Sequence, residues 1–196
     1  MGRRSQGQPV TVVDIEKAAA LVFRRVGYAG STMQQIAAEV GLHKTSLYHH
    51  ISSKQALLVS IAGTAIDEPL RKLEQIAADP SLDRVEKLRR AVYMQVLAVT
   101  ESTDQIAAFT MYINEIEDDK TRLEFSERRK KYSFMFQGLV ASCRGVPPAD
   151  ANAYIITFGI LGIINWMLFW YQPDMPQAPE TLATIYAEMA VRSALA

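Results

Sequence analysis

The sequence predicts an all-α chain: a small amino-terminal three-helix domain followed by a larger helical carboxy-terminal domain. Three observations carry that prediction. Apolar residues recur at helical spacing along nearly the whole chain, and no stretch alternates with the period of two that marks a strand. Gly41 hinges two short apolar-patterned segments ahead of a longer one, the layout of a helix-turn-helix. Loop signals fall between the periodic stretches, at Asp79-Pro80-Ser81, at Gly145-Val146-Pro147-Pro148, and at Pro173, Pro176 and Pro179.

Each element has its own signal. Asp14 caps or begins a first helix to Val26, with Ile15, Ala18, Ala19, Leu21, Val22 and Phe23 on its apolar face and Gly27 as its stop. Thr32 suits the N-cap of a second helix, Met33 to Val40, with Gln35 in the first turn. After the Gly41 turn a third helix runs from His43 to His50. Ser52 or Ser53 caps a fourth that begins near Lys54 and Gln55. Pro69 lacks a backbone donor and crowds the preceding turn, so a kink or break is expected near Asp67. Further helices are expected over Leu82–Val99 and Thr103–Glu115. The next is opened by Glu117-Asp118-Asp119 and runs to Cys143, with acids at its positive end. The last two run from Pro148 to Trp170 and from Glu180 to Ala194. The expected division is a basic arm over 1–10, a helix-turn-helix domain over 11–53, a connecting helix over 54–68, and a second domain over 69–196.

Composition bounds the function. The chain is 49% hydrophobic and 21% charged, which suits a packed core rather than a disordered tail. Its formal charge is +0, but residues 1–66 hold seven Lys/Arg against three acids, a net +4, balanced by −4 over the rest. A basic head on an acidic body fits a small DNA-reading module joined to a sensing or dimerising domain. Cys143 is the only cysteine, so no internal disulfide forms; a reducing cytosol and a packing role for Cys143 are expected. Residues 1–10 lack an apolar signal core. The apolar run from Tyr154 to Tyr171 is near the lower length limit for a membrane span and is interrupted by Gly159, Gly162 and Asn165; a buried or interface helix is the expected reading, with no membrane partner. No nucleophile elbow, phosphate loop or zincin helix supports an enzyme. His49 and His50 cannot converge on one ion and no cysteine or acid completes a set, so neither metal nor cofactor is expected.

The helix-turn-helix carries the functional reading. Ile36, Ala37, Val40, Leu42, Leu47 and Ile51 are spaced to pin the second and third helices together, and small Ala37 permits their close approach. The other face of the third helix then presents His43, Lys44, Thr45, Ser46 and His49. Lys44 can donate to guanine acceptors, and Thr45 and Ser46 can reach base edges or a thymine methyl. We therefore expect base contact from Lys44, Thr45, Ser46 and His43. Thr32, beyond capping, can offer its hydroxyl and neighbouring backbone donors to a phosphate. Arg3 and Arg4 suit either a solvated tail or an arm reaching DNA.

Residues 12–58 resemble the amino-terminal domain of the TetR family of bacterial transcription regulators through Gly27-Tyr28, Thr32, Ile36-Ala37, Gly41, Lys44, Leu47-Tyr48, His50 and Ser53-Lys54 with Leu57. The resemblance implies phosphate contact by Tyr48, His49, His50 and Lys54 alongside Thr32. His43 stands where the family often has serine, and Ile51 where it has phenylalanine. Asn165-Trp166, Trp170-Tyr171 and Pro173 are similar to members that sense acyl-coenzyme A or related lipid and steroid metabolites. In that context Phe109, Met111, Tyr112, Ile116, Tyr132, Met135, Phe136 and Leu139 read as the walls of an effector cavity, with Asn165, Trp166 and Tyr112 as polar handles. The basic run Arg122, Arg128, Arg129, Lys130 and Lys131 suits either a solvated face or the phosphates of a nucleotide-bearing ligand. The last two helices should form the homodimer interface, so the operator should be a palindrome with recognition helices about 34–36 Å apart or further. The expected protein is a cytoplasmic repressor, released from double-stranded DNA by a small apolar effector such as an acyl-coenzyme A. A helical lipid- or small-molecule-binding protein without DNA affinity is the alternative.

Overall fold

The computed structural model describes residues 9–196, so Arg3, Arg4 and most of the expected basic arm lie outside the described residues. Among these residues the regular structure is entirely helical. Helix α1 (Val12–Val26) starts earlier than expected: Thr11 is its N-cap and Asp14 is the third residue of a capping box, each satisfying the other's backbone donor. Helices α2 (Met33–Val40) and α3 (Lys44–His50) follow, and α4 (Lys54–Ala78) is capped by Ser53. The larger part is built from α5 (Arg84–Glu101), α6 (Thr103–Tyr112), α7 (Asp119–Arg144), α8 (Ala151–Trp170) and α9 (Pro179–Leu195), with a single 3-10 turn over Ile113–Glu115.

Local chemistry moves several expected boundaries. Asp83 accepts from the Val85 and Glu86 amides, both at 2.8 Å, so α5 opens at Arg84 and not at Leu82. Asp118 and Asp150 cap α7 and α8 in the same manner, which leaves Pro148 in the preceding turn. Of the kink or break expected near Asp67, no break occurs: α4 is one 25-residue helix with Pro69 inside it. A mid-helix proline costs about 3 kcal/mol. Ile66, Leu70 and Leu73 are buried around it, on a helix that packs along α6 and α7, and full burial of each such side chain returns roughly 1.5–3 kcal/mol, enough to offset that cost.

Gly41 makes the turn between α2 and α3. It adopts φ 75° and ψ 27°, and the Leu42 amide donates to the Ala37 carbonyl at 2.8 Å, closing the helix end. A Cβ at Gly41 would meet no neighbour, so substitution there tests backbone conformation alone. Gly41→Ala is expected to lower stability by about 1–2 kcal/mol, read as a reduced urea midpoint with an unchanged slope.

One apolar core runs through both parts, from Ile15 and Phe23 on α1 through Leu57 and Ile61 on α4 to Phe136 on α7. Helix α5 packs along α9, α4 along α6 and α7, and α1 reaches across to α6. Cys143 sits in this core; burial pushes its thiol pKa up and its Sγ lies 3.2 Å from the Arg84 carbonyl oxygen, as suits a packing residue.

Candidate functional site

The outer face of α3 is polar because its inner face is pinned. Leu47 is fully buried beneath α3, where it joins Ile36 and Ala37. Around it, His43, Lys44, Thr45, His49 and His50 are exposed, Ser46 is half-buried, and Tyr48 is 46% exposed. Lys44 Nζ stands 6.0 Å from the Tyr48 ring centroid, one helical turn away, so the two share a face. His43 occupies the N-cap and its side chain makes no capping hydrogen bond.

The start of α2 offers a second group of donors. Thr32 and Gln35 form a capping box, with Gln35 N donating to Thr32 Oγ1 at 3.2 Å and Thr32 N donating to Gln35 Oε1 at 2.9 Å. The amides of Met33 and Gln34 have no intrahelical acceptor by their position, and Thr32 is exposed beside them.

Lys54 has a task that the sequence did not suggest. Its Nζ donates to the carbonyls of Tyr28 at 2.7 Å and Ser31 at 3.0 Å, and lies 4.4 Å from the Tyr28 ring centroid. It therefore ties the start of α4 to the α1–α2 turn, and its donors are engaged within the protein. Charge-assisted bonds of this kind are the strong ones.

The second candidate site is a cavity of about 860 Å³ between α4, α5, α6, α7 and α8. Of the residues expected to line it, Phe109, Tyr132 and Asn165 do so. Ile116, Phe136 and Leu139 are instead buried in the core, and Met135 is packed against it. The Tyr112 hydroxyl donates to the Phe23 carbonyl at 3.2 Å, so this tyrosine joins α6 to α1 rather than serving as a cavity handle. Trp166 is 62% exposed on the outer face of α8, stacked near Phe169. The reason is helical phase: neighbouring residues of a helix are about 100° apart, so of Asn165 and Trp166 only one can face inward.

Sequence reasoning missed Gln95, which lines the cavity from α5 and accepts from the Tyr132 hydroxyl. Its signal was present. Leu88, Ala91, Val92, Val96 and Val99 form the buried stripe of α5, and Gln95 interrupts that stripe with an amide. Glu16 on α1 was missed for the same reason. It is buried in an apolar stripe, and it accepts from the hydroxyls of Ser60 and Thr64 on α4. At the rim, Lys130 pairs with Glu127 at 2.7 Å and Lys131 with Glu74 at 2.6 Å, while Arg129 has no ion pair among the described residues.

The α1–α3 unit is joined to the cavity by polar ties. Arg24 on α1 pairs with Asp104 on α6 at 2.8 Å, and the Gln55 side chain on α4 donates to the Glu115 carbonyl at 2.8 Å. Helix α6 thus carries cavity walls (Ile106, Phe109, Thr110) and holds α1 through Asp104 and Tyr112.

Comparison with known proteins finds matches to both parts of the chain. Residues 15–61 match the model of the tetR family of bacterial regulatory proteins, and residues 81–194 match that of the tetracyclin repressor-like carboxy-terminal domain. The HTH-type transcriptional repressor KstR2 of Rhodococcus jostii (strain RHA1) is 24% identical over 189 residues, covering 94% of this chain and 90% of that one. AibR, solved in complex with isovaleryl coenzyme A and operator DNA, is 27% identical with a TM-score of 0.69, over 91% of this chain and 96% of that one. The TetR family regulator PfmR from Thermus thermophilus is 25% identical with a TM-score of 0.76, over 91% and 97%. With the family's amino-terminal model matched at one end and its carboxy-terminal model over more than half its length, the chain belongs to the TetR family of bacterial transcription regulators.

Proposed function

We propose that this protein is a cytoplasmic homodimeric repressor that grips a palindromic operator through α3 and is released by an apolar, acyl-coenzyme A-like effector in the α4–α8 cavity. The observation that carries the DNA-binding half is the outward presentation of Lys44, Thr45 and Tyr48 over a sealed Leu47. Lys44, Thr45, Ser46 and His43 meet base edges; Thr32, Tyr48, His49 and His50 hold phosphates and fix register. Lys54 contributes chiefly by setting the angle at which α4 leaves this unit, since its ammonium is committed to backbone carbonyls.

The effector half is supported by the cavity's chemistry. Ile106, Phe109 and Leu161 give it an apolar wall, and Arg129, Lys130 and Lys131 give it a basic rim suited to phosphates. AibR, which binds isovaleryl coenzyme A and operator DNA, shares this fold over most of its length. Both α4 and α6 run from the cavity to the α1–α3 unit, so an effector that prefers one spacing of α4 and α6 shifts the DNA-reading helices with it. Only a difference in affinity between the two arrangements does this work.

The test uses the full-length protein and a fluorescently labelled operator fragment. Isovaleryl and longer acyl-coenzyme A thioesters are titrated while operator affinity is read by anisotropy. A coupling of about 1–3 kcal/mol predicts an operator affinity lowered roughly 5- to 150-fold at saturation. Thioesters that bind by calorimetry without changing operator affinity would refute the coupling; failure of every thioester to bind would refute the effector class.

A further inference from the structure

We propose that Gln95 and Tyr132 form a subsite that reads one neutral oxygen acceptor, a ketone or ester-type carbonyl, on the hydrocarbon portion of the effector. This deepens the reading of the α4–α8 cavity as the effector site and rests on it. Both side chains line the cavity, and both are only 7% exposed. The Tyr132 hydroxyl donates to Gln95 Oε1, and the Gln95 amide nitrogen has no acceptor among the described residues. It is not sealed in the protein interior either, since the only fully enclosed unpaired side-chain atom among these residues is Arg144 Nε. The nitrogen therefore keeps accessible surface on a side chain that lines the cavity.

With the Tyr132 hydroxyl donating to Gln95 Oε1, the amide N–H groups are the donors left over. The pair sits in a cavity lined also by Ile106, Phe109 and Leu161. Burial raises the Tyr132 pKa far above its ordinary value, so the phenol keeps its proton and the pair stays neutral. The cations that share the cavity, Arg129, Lys130 and Lys131, are exposed. An uncharged donor in an apolar wall favours an uncharged acceptor. A ligand that covers it with hydrocarbon strips its water and replaces nothing, which is how a site rejects an analogue that lacks the matching oxygen.

Two naphthalene dyes of similar size separate this role from plain hydrophobic binding. Prodan carries a propionyl carbonyl whose emission moves to the red when it accepts a hydrogen bond; N-phenyl-1-naphthylamine carries no carbonyl. Both are titrated into the unaltered protein and into a Gln95→Leu/Tyr132→Phe double variant. That variant removes both polar partners together, so no orphan is left behind in the core. The expected result is mutual displacement of the dyes from one site, with red-shifted emission from bound Prodan. In the double variant Prodan emission moves to the blue and its affinity falls about three- to tenfold, the worth of one net hydrogen bond, while N-phenyl-1-naphthylamine affinity is unchanged. Equal changes for both dyes, or unaltered Prodan emission and affinity, overturn the subsite and leave the cavity standing. If neither dye binds the unaltered protein, the effector cavity itself is refuted and the subsite with it. Should the double variant not fold, the emission of Prodan on the unaltered protein decides: blue emission there, with the dye displaceable by N-phenyl-1-naphthylamine, overturns the proposal.

Discussion

Trp166→Glu combined with Phe169→Glu is expected to yield a monomer in sedimentation velocity and to weaken operator binding by about 10²–10⁴-fold. Helix α8 is apolar on both sides. Its inner side, with Ile160, Ile164 and Met167, is packed in the core; its outer side leaves Ile155, Phe158, Ile163, Trp166 and Phe169 in water, the last two rings each 62% exposed. Ile185 and Met189 on α9 add to the exposed apolar side chains. A monomeric protein rarely exposes so many large apolar side chains along one helix. Gly159 and Gly162 lie exposed on the same outer side, and a Cβ at either would meet nothing. Those positions leave room for a second backbone to come close. Two carboxylates placed there would have to lose their water against the partner, which costs several kcal/mol per ion. The replaced side chains already lie at the surface, so the helical circular dichroism signal should be retained. The loss in DNA affinity follows from bivalency: two linked recognition helices bind one operator with a high effective concentration, and separated ones do not. A variant that stays dimeric at micromolar concentration would place the interface elsewhere.

Lys44→Ala is expected to weaken operator binding by about 1–3 kcal/mol and to relax the preference at one base pair of each half-site. Tyr48→Phe is expected to weaken all duplexes alike, without changing the preferred sequence. The distinction follows from position. Lys44 opens α3, the end of a recognition helix that is expected to enter a major groove first, whereas Tyr48 stands a turn further on, where its hydroxyl is expected to meet backbone oxygens. Competition binding against a panel of single-base operator variants separates the two outcomes. A Lys44→Ala protein with unaltered preference would remove this residue from base reading.

Much of the DNA-reading unit was legible in the sequence because its signals are local. Thr32 with Gln35, Gly41, and the spacing of Ile36, Ala37, Val40, Leu42, Leu47 and Ile51 each act within a turn or two of the chain. The structure shows the capping box and the positive φ, with Ile36, Ala37 and Leu47 buried and Val40, Leu42 and Ile51 half-buried against them. What the sequence could not supply was partnership at a distance. Lys54 reads as a phosphate-contacting cation until the fold brings the Tyr28 and Ser31 carbonyls to it. Tyr112 reads as a cavity aromatic until α6 lies beside α1 and its hydroxyl finds the Phe23 carbonyl. Pro69 reads as a kink or break because the rule for proline is local, and the chain stays helical through it. Aromatic and methionine content located the helices that build the cavity without telling wall from core, since both environments select the same side chains. The sharper signal was the polar interruption of an apolar stripe, at Gln95 on α5 and at Glu16 on α1.

Selection of bound duplexes from a random-sequence library tests the central claim most directly, run in parallel with the unaltered protein and with a Lys44→Ala/Thr45→Ala variant. The α3 geometry predicts that the unaltered protein enriches a palindrome whose half-site centres lie about one helical turn apart or further. Its affinity should fall steeply as salt rises, and the variant should lose the half-site preference while keeping weak binding to any duplex. Enrichment of the same palindrome by both proteins, or of no sequence by the unaltered one, would contradict the assignment of α3 as the reading helix.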